Sequence, residues 1–123
     1  MTETTDPRSG EVWRIEFDPA VGAEMKKTRP AVVVSDDFVG RLPLRIVVPV
    51  TGHKPDRELY PWLIRLDPNS TNGLEKASDA DTLQVKSIST DRCIHRMGRV
   101  TADQLEEIRL GICLCVGIGQ PGN

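Results

Sequence analysis

The sequence predicts a mainly β domain with one C-terminal helix, folded as a small twisted β-barrel or half-barrel. Three observations carry this prediction. About six short apolar runs alternate or are β-branched, in the manner of strands. Pro, Gly, Asn and Asp punctuate them at short intervals. The apolar period then changes once, near Thr101, from that of strands to that of a helix.

Taken in order, residues 1–9 are polar and acidic and read as a flexible leader. From Glu11, Trp13, Ile15 and Phe17 alternate with Val12, Arg14 and Glu16, the pattern of a half-buried strand that Asp18-Pro19 ends. A loop leads to Arg29-Pro30, where proline biases Arg29 toward extended geometry at a fixed loop-to-strand junction. Ala31, Val32, Val33 and Val34 form a continuous run suited to a central strand covered on both faces. A strand follows over 45–51, in which Pro49 lacks an N–H and implies an edge or a bulge. Residues 62–66 alternate again, and Asp67-Pro68 and Asn72-Gly73 mark turns. Residues 82–88 and 94–100 read as two more strands, with Gly98 marking a bulge or a close backbone approach. Thr101 with Gln104 fits a capping box, and Leu105, Ile108, Ile112, Cys115 and Val116 follow at helical spacing. Glu106, Glu107 and Arg109 are expected on the outer face, and Gly117, Gly119 and Pro121 stop the helix. A single domain over 10–118 and a tail over 119–123 complete the expected organisation.

Composition narrows the function classes. No apolar stretch approaches a membrane span, and no secretion signal precedes the first strand. The cysteines, Cys93, Cys113 and Cys115, are odd in number and lack zinc-knuckle or framework spacing, which argues for a reducing, cytoplasmic setting and for small buried hydrophobes. The formal net charge of -2 is unevenly spread. Acid gathers at Glu3, Asp6 and Glu11 and at Asp103, Glu106 and Glu107. Base lies between, at Lys26, Lys27, Arg29, Arg41, Arg45, His53, Lys54 and Arg57, then at Arg92, His95, Arg96 and Arg99, so a locally positive groove is possible. Neither a glycine-rich phosphate loop, a Gly-x-Ser-x-Gly elbow nor an HExxH helix occurs, and no cofactor or metal is expected.

The workable groups are Arg29, Thr51, Glu24, His53 and the lysines. An arginine and a hydroxyl on rigid strand ends form an oxyanion or phosphate site. RNA cleavage by the ribose 2′-hydroxyl needs such groups to hold the phosphate and stabilise its added charge. Structural readings stand beside this one. Taken singly, an arginine ahead of a proline is more often a surface ion pair, Thr51 a strand-end turn residue, Glu24 a solvated loop carboxylate and His53 an exposed loop residue.

Five fragments fall in order: Gly10-Glu11-Val12-Trp13 with Phe17-Asp18-Pro19, Gly22-x-Glu24, Arg29-Pro30 with the run to Ser35, Val48-Pro49-Val50-Thr51, and Gln84-Val85-Lys86-Ser87-Ile88. Together they closely resemble the MazF/PemK (Kid) family of toxin endoribonucleases from bacterial toxin–antitoxin pairs, over about Gly10 to Ile118. The resemblance implies a compact SH3-like β-barrel with a C-terminal helix, assembled as a homodimer. It implies metal-independent, sequence-specific cleavage of single-stranded RNA, chiefly mRNA, giving a 2′,3′-cyclic phosphate and a 5′-hydroxyl. The family's catalytic arginine falls on Arg29, its catalytic hydroxyl on Thr51, and its Gly-x-Glu loop on Gly22-Ala23-Glu24. Ser78 and Gln84 match positions that relatives use for RNA contacts, Gly22 belongs to the loop that gates the groove, and Lys26, Lys27, His53 and Lys54 are expected to contact RNA through their charge. A cognate antitoxin would lay an acidic, partly disordered tail into the same groove. Met25-Lys26-Lys27-Thr28 departs from the family's usual Gln and small residues, which makes this loop stiffer and more cationic. Two alternatives of other classes stand beside this: a toxin of the same fold that poisons DNA gyrase by protein binding, and a catalytically silent RNA-binding barrel.

Overall fold

A computed structural model of the chain describes residues 5–39 and 42–119. Arg41 and Pro121, and residues 1–4 of the expected leader and 120–123 of the expected tail, lie outside the described residues. Seven strands and one helix follow in order: β1 Glu11–Glu16, β2 Thr28–Val33, β3 Leu44–Gly52, β4 Leu63–Leu66, β5 Ser78–Asp81, β6 Lys86–Ser89, β7 Cys93–Arg99 and α1 Ala102–Cys115. They form one sheet in the order β4-β5-β3-β2-β1-β7, with β6 paired to β3 off this path. Every pairing among the described residues is antiparallel, and the sheet does not close on itself.

The alternation read in the first strand and the continuous run in the second both follow from burial on two faces. Val12, Val32, Val34, Val48 and Val50 pack into one cluster, which α1 covers through Leu105, Ile108 and Ile112. Ile15, Phe17, Ala31, Val33 and Val47 form a second cluster on the opposite face, with Trp13 and Met25 against it. β2 is thus sandwiched, and a β-branched run is what such a strand needs.

Pro49 sits inside β3, which is a central strand. Its missing N–H is tolerated because β3 changes partner there: Leu44 to Val47 pair with β6, Val50 to Gly52 pair with β5, and Pro49 falls between. Residues 82–88, expected as one strand, are broken. Thr82–Gln84 form a 3-10 turn between β5 and β6, because the Thr82 hydroxyl donates to the Trp62 carbonyl (2.6 Å) and the buried Thr82 packs under Gly111 of α1.

The helix begins as its sequence dictates. Thr101 Oγ1 accepts from the Gln104 amide (3.1 Å) while the Thr101 amide donates to Gln104 Oε1 (2.9 Å). It ends in a Schellman arrangement, with Gly117 at φ +82 and Ile118 N–H donating to Cys113 O (2.8 Å). Arg109 is not on the outer face: its Nε donates to Val34 O (3.1 Å) and its terminal nitrogen to Ser9 Oγ (2.7 Å), tying helix to sheet. Val116 is exposed as the residue capping the helix. The polar N-terminal segment is anchored from Pro7, which is buried and whose carbonyl accepts from Arg45 Nε (2.9 Å).

Gly98 marks both a bulge and a close approach. Val12 pairs with Gly98 and Trp13 with Arg96, leaving Met97 as the extra residue. A Cβ at position 98 would lie 2.2 Å from Thr71 O and 2.7 Å from Asn72 C. Both are backbone atoms and cannot turn aside as a side chain would. Gly98→Ala is therefore expected to destabilise by about 1–3 kcal/mol, measured as a lower denaturant midpoint at unchanged m.

Candidate active site

The β2–β3 register places the two central candidates together. Ala31 pairs with Pro49, Val32 with Val48 and Val33 with Val47. Carried two residues further along both strands, the same register sets Arg29 opposite Thr51. Opposed residues of an antiparallel pair point to one face. Both side chains line one pocket of about 560 Å³, and both also line an adjoining one of about 330 Å³. They stand on the ridge between the two.

Arg29 is half-buried, and its Nε donates to the Lys26 carbonyl (2.9 Å), which fixes the guanidinium plane. Its terminal nitrogens and the Thr51 hydroxyl have no hydrogen-bond partner among the described residues. A fixed cationic fork and a free hydroxyl, side by side in a cleft, can take an anionic tetrahedral group.

The larger pocket also brings in Glu24, Lys26, Lys54 and Gln84. Glu24 is exposed and closes its own turn, accepting from Val21 N–H through Oε1 (2.7 Å). Gln84 clamps the loop carrying Glu24: its Nε2 donates to Ala23 O (2.9 Å) and its Oε1 accepts from Met25 N–H (3.0 Å). Its amide thus shapes the pocket wall through the loop. Lys27 and Ser78 line the smaller pocket. Lys27 adopts φ +68, held by its amide donating to Asp18 Oδ1 (2.9 Å) and its carbonyl accepting from Phe17 N–H (2.9 Å). Ser78 is buried, and its hydroxyl donates to Lys76 O (2.8 Å).

Gly22 and His53 line neither pocket. Gly22 is an exposed turn residue at φ +57. His53, expected on the surface, is 13% exposed: Nδ1 meets both carboxylate oxygens of the buried Asp79 (3.0 and 3.1 Å), and Nε2 faces Glu58 (3.3 Å). Strand pairing of Thr51 with Asp79 brings that carboxylate alongside the imidazole. The free thiols pack as expected at Cys93, which is buried and whose proton is held up to about 11 by desolvation.

The larger pocket also holds polar and aromatic residues outside the candidate set, among them Asp56, Arg57, Tyr60, Trp62 and Asp81. With Arg57 added, four cations face Glu24, Asp56 and Asp81 in the larger pocket, and Arg14, Lys27, Arg29 and Lys76 face Glu75 in the smaller. The excess of base is local, despite the acidic chain. Among the described residues, no three His, Cys, Asp or Glu side chains converge as a metal-binding group.

Burial raises the Asp81 carboxyl above its ordinary 3.8, opposed by the Leu83 and Gln84 amides and by Arg57. A raised folded-state value means the carboxylate costs stability: the cost is absent below 3.8 and grows as pH rises through the window above it. Asp81→Asn keeps an acceptor for the Leu83 amide and removes the charge. It is expected to melt higher than the parent at neutral pH, with the gain vanishing as the pH falls below 3.8.

Known proteins share this frame. The family model described as the PemK-like, MazF-like toxin of type II toxin–antitoxin systems matches residues 8–116. The chain is 37% identical over 107 residues to the endoribonuclease MazF9 of Mycobacterium tuberculosis, covering 82% of this chain and 88% of that protein. The crystal structure of MazF from Deinococcus radiodurans superposes with a TM-score of 0.75 at 25% identity, over 91% of this chain and 97% of that one. An endoribonuclease solved in complex with its cognate antitoxin, from a mycobacterial species, gives a TM-score of 0.73 over 94% of this chain and 100% of that one, at 18% identity. The match over nearly the whole chain, with the fold to go with it, places this protein in the PemK-like, MazF-like toxin family of type II toxin–antitoxin systems.

Proposed function

We propose that this toxin, an endoribonuclease like its named relatives, cleaves single-stranded RNA without a metal ion, by attack of the ribose 2′-hydroxyl on the adjacent phosphate. The observation that carries the reading is the convergence of Arg29 and Thr51, each with uncommitted donors, on one cleft. The 2′-oxygen bonds to phosphorus as the bond to the 5′-oxygen breaks, giving a 2′,3′-cyclic phosphate and a 5′-hydroxyl. Arg29 presents its terminal nitrogens to the non-bridging oxygens, whose charge grows in the transition state. Thr51 donates to the same phosphate and holds it in line with the attacking oxygen. The proton leaving the 2′-hydroxyl and the one reaching the 5′-oxygen need carriers at the pocket wall. Glu24 is an exposed carboxylate that lines the same pocket as Arg29, and the raised proton affinity of Asp81 suits it to the complementary step. His53, locked between Asp79 and Glu58 away from the pocket, serves the fold of that wall.

The flanking cations Lys26, Lys54 and Arg57 would track the RNA backbone on one side, and Lys27 and Lys76 on the other. The same excess of base fits an acidic antitoxin tail competing for the cleft, in a protein working in the cytoplasm as a homodimer.

Incubation with a long RNA in EDTA tests the reading. Cleavage is expected, and Arg29→Ala or Thr51→Ala should each slow it about 100- to 1,000-fold with unchanged circular dichroism. Intact RNA together with inhibited DNA supercoiling would select a gyrase poison instead. The paired variant Lys26→Ala/Lys27→Ala should weaken RNA binding across all sequences and flatten its salt dependence by about two phosphate contacts, read from binding at several salt concentrations.

A further inference from the structure

The chain has five aromatic residues: two Trp, one Tyr and two Phe. Phe17 is core, Trp13 packs against the second cluster while donating to Glu11 Oε1 (3.0 Å), and Phe38 stands alone on an exposed loop. The remaining two, Tyr60 and Trp62, belong to neither hydrophobic cluster. They stack on each other instead, with ring centroids 4.9 Å apart and planes 16° from parallel. Both line the pocket that holds Arg29 and Thr51.

Their support is unequal. Trp62 is tied to the body of the protein through its carbonyl, which accepts from both the amide (3.2 Å) and the hydroxyl (2.6 Å) of the buried Thr82. Thr82 in turn lies against Gly111 of the helix. Tyr60 rides on a succession of tight turns, its amide donating to Arg57 O (3.1 Å) and its carbonyl accepting from Leu63 N–H (3.1 Å). It is 45% exposed. A two-ring stack is thus anchored at one end and open at the other, on a wall where Lys54 and Arg57 supply positive charge. An apolar ring left in water beside a cationic site gains most from a flat, uncharged partner. A nucleobase is such a partner, and every base has the required face.

We propose that the Tyr60–Trp62 stack is a base-stacking subsite, taking an unpaired nucleobase beside the phosphate that Arg29 and Thr51 hold. The proposal rests on the ribonuclease reading and names side chains through which a single strand would be preferred. A base within a duplex is already stacked on both faces, and only a splayed single-stranded base can extend the Tyr60–Trp62 pair by a third layer. Tyr60 and Trp62 act here in binding and positioning, while the bond changes occur at the neighbouring phosphate.

Binding of a short, mixed-sequence, single-stranded 2′-O-methyl RNA tests this, since that probe cannot be cut by 2′-hydroxyl attack. Fluorescence anisotropy with the full-length protein would give Kd at several salt concentrations. Tyr60→Leu keeps an apolar side chain at an exposed position and removes the π-face. It is expected to weaken binding roughly 5- to 100-fold, with the slope of log K against log salt unchanged because no charge is lost. Tyr60→Phe keeps the ring and should bind within about twofold of the parent. Parental affinity in Tyr60→Leu, a Tyr60→Phe variant as weak as Tyr60→Leu, or a flattened salt slope would each overturn the subsite. So would a parent protein that does not bind the probe. Cleavage of ordinary RNA in EDTA by the same preparation then separates the two ideas: if it persists, only the stacking subsite falls, and if it is absent, the ribonuclease reading falls with it.

Discussion

The candidate site depends on the antiparallel register between β2 and β3. A slip of one residue would turn Arg29 and Thr51 to opposite faces, because side chains alternate along a strand. What prevents the slip is burial on both sides of the pair. Val32 and Val48 enter the cluster under the helix, Ala31, Val33 and Val47 enter the other, and each set would be driven into the wrong cluster by a shift. The polar ends of the two strands inherit their positions from these apolar middles. Function at this site is therefore bought with core packing, and the residues that fix it never touch a ligand.

Around that pair the fold adds devices that hold a loop, a wall and a floor. Gln84 bridges Ala23 and Met25 across fifty-nine to sixty-one positions of sequence, pinning the loop that carries Glu24 and Lys26. The 3-10 turn of Thr82–Gln84 delivers both Gln84 to that loop and the Thr82 hydroxyl to Trp62. The helix rests on the same turn through Gly111, so the C-terminal element is mechanically joined to the pocket it does not line. The basic groups act only locally, where strand ends and loops gather them against few carboxylates. Net charge was a poor guide to this, as expected when partners read a surface and not a sum.

Features set by neighbours in the chain were legible in the sequence. The capping box of Thr101 and Gln104, the alternation of Trp13, Ile15 and Phe17 and the doubly buried run from Ala31 all rest on local chemistry or simple periodicity. Pro49 was informative in kind, since it does mark a break in pairing, but only the tertiary structure shows the break inside a central strand where two partners meet. The features that escaped are those set by distant contacts. The run 82–88 looks like a strand until Trp62 and Gly111 capture Thr82. Arg109 reads as solvated until Val34 and Ser9 offer it acceptors. His53 looks like a loop histidine until β5 brings Asp79 beside it. Trp62 reads as the start of an alternating strand and Tyr60 as a lone loop aromatic, because two rings stacked across Pro61 match no period. The family resemblance carried what composition could not, namely which arginine and which hydroxyl to join across the sheet.

A double-mutant cycle on single-turnover RNA cleavage in EDTA examines the central claim, that Arg29 and Thr51 work on one phosphate. Arg29→Lys and Thr51→Val are mild enough to leave measurable rates. If the two groups serve a single transition state, the double variant should be slowed far less than the product of the separate losses. Losses that multiply would mean that the two side chains act independently, and would contradict their working as one unit on a single phosphate.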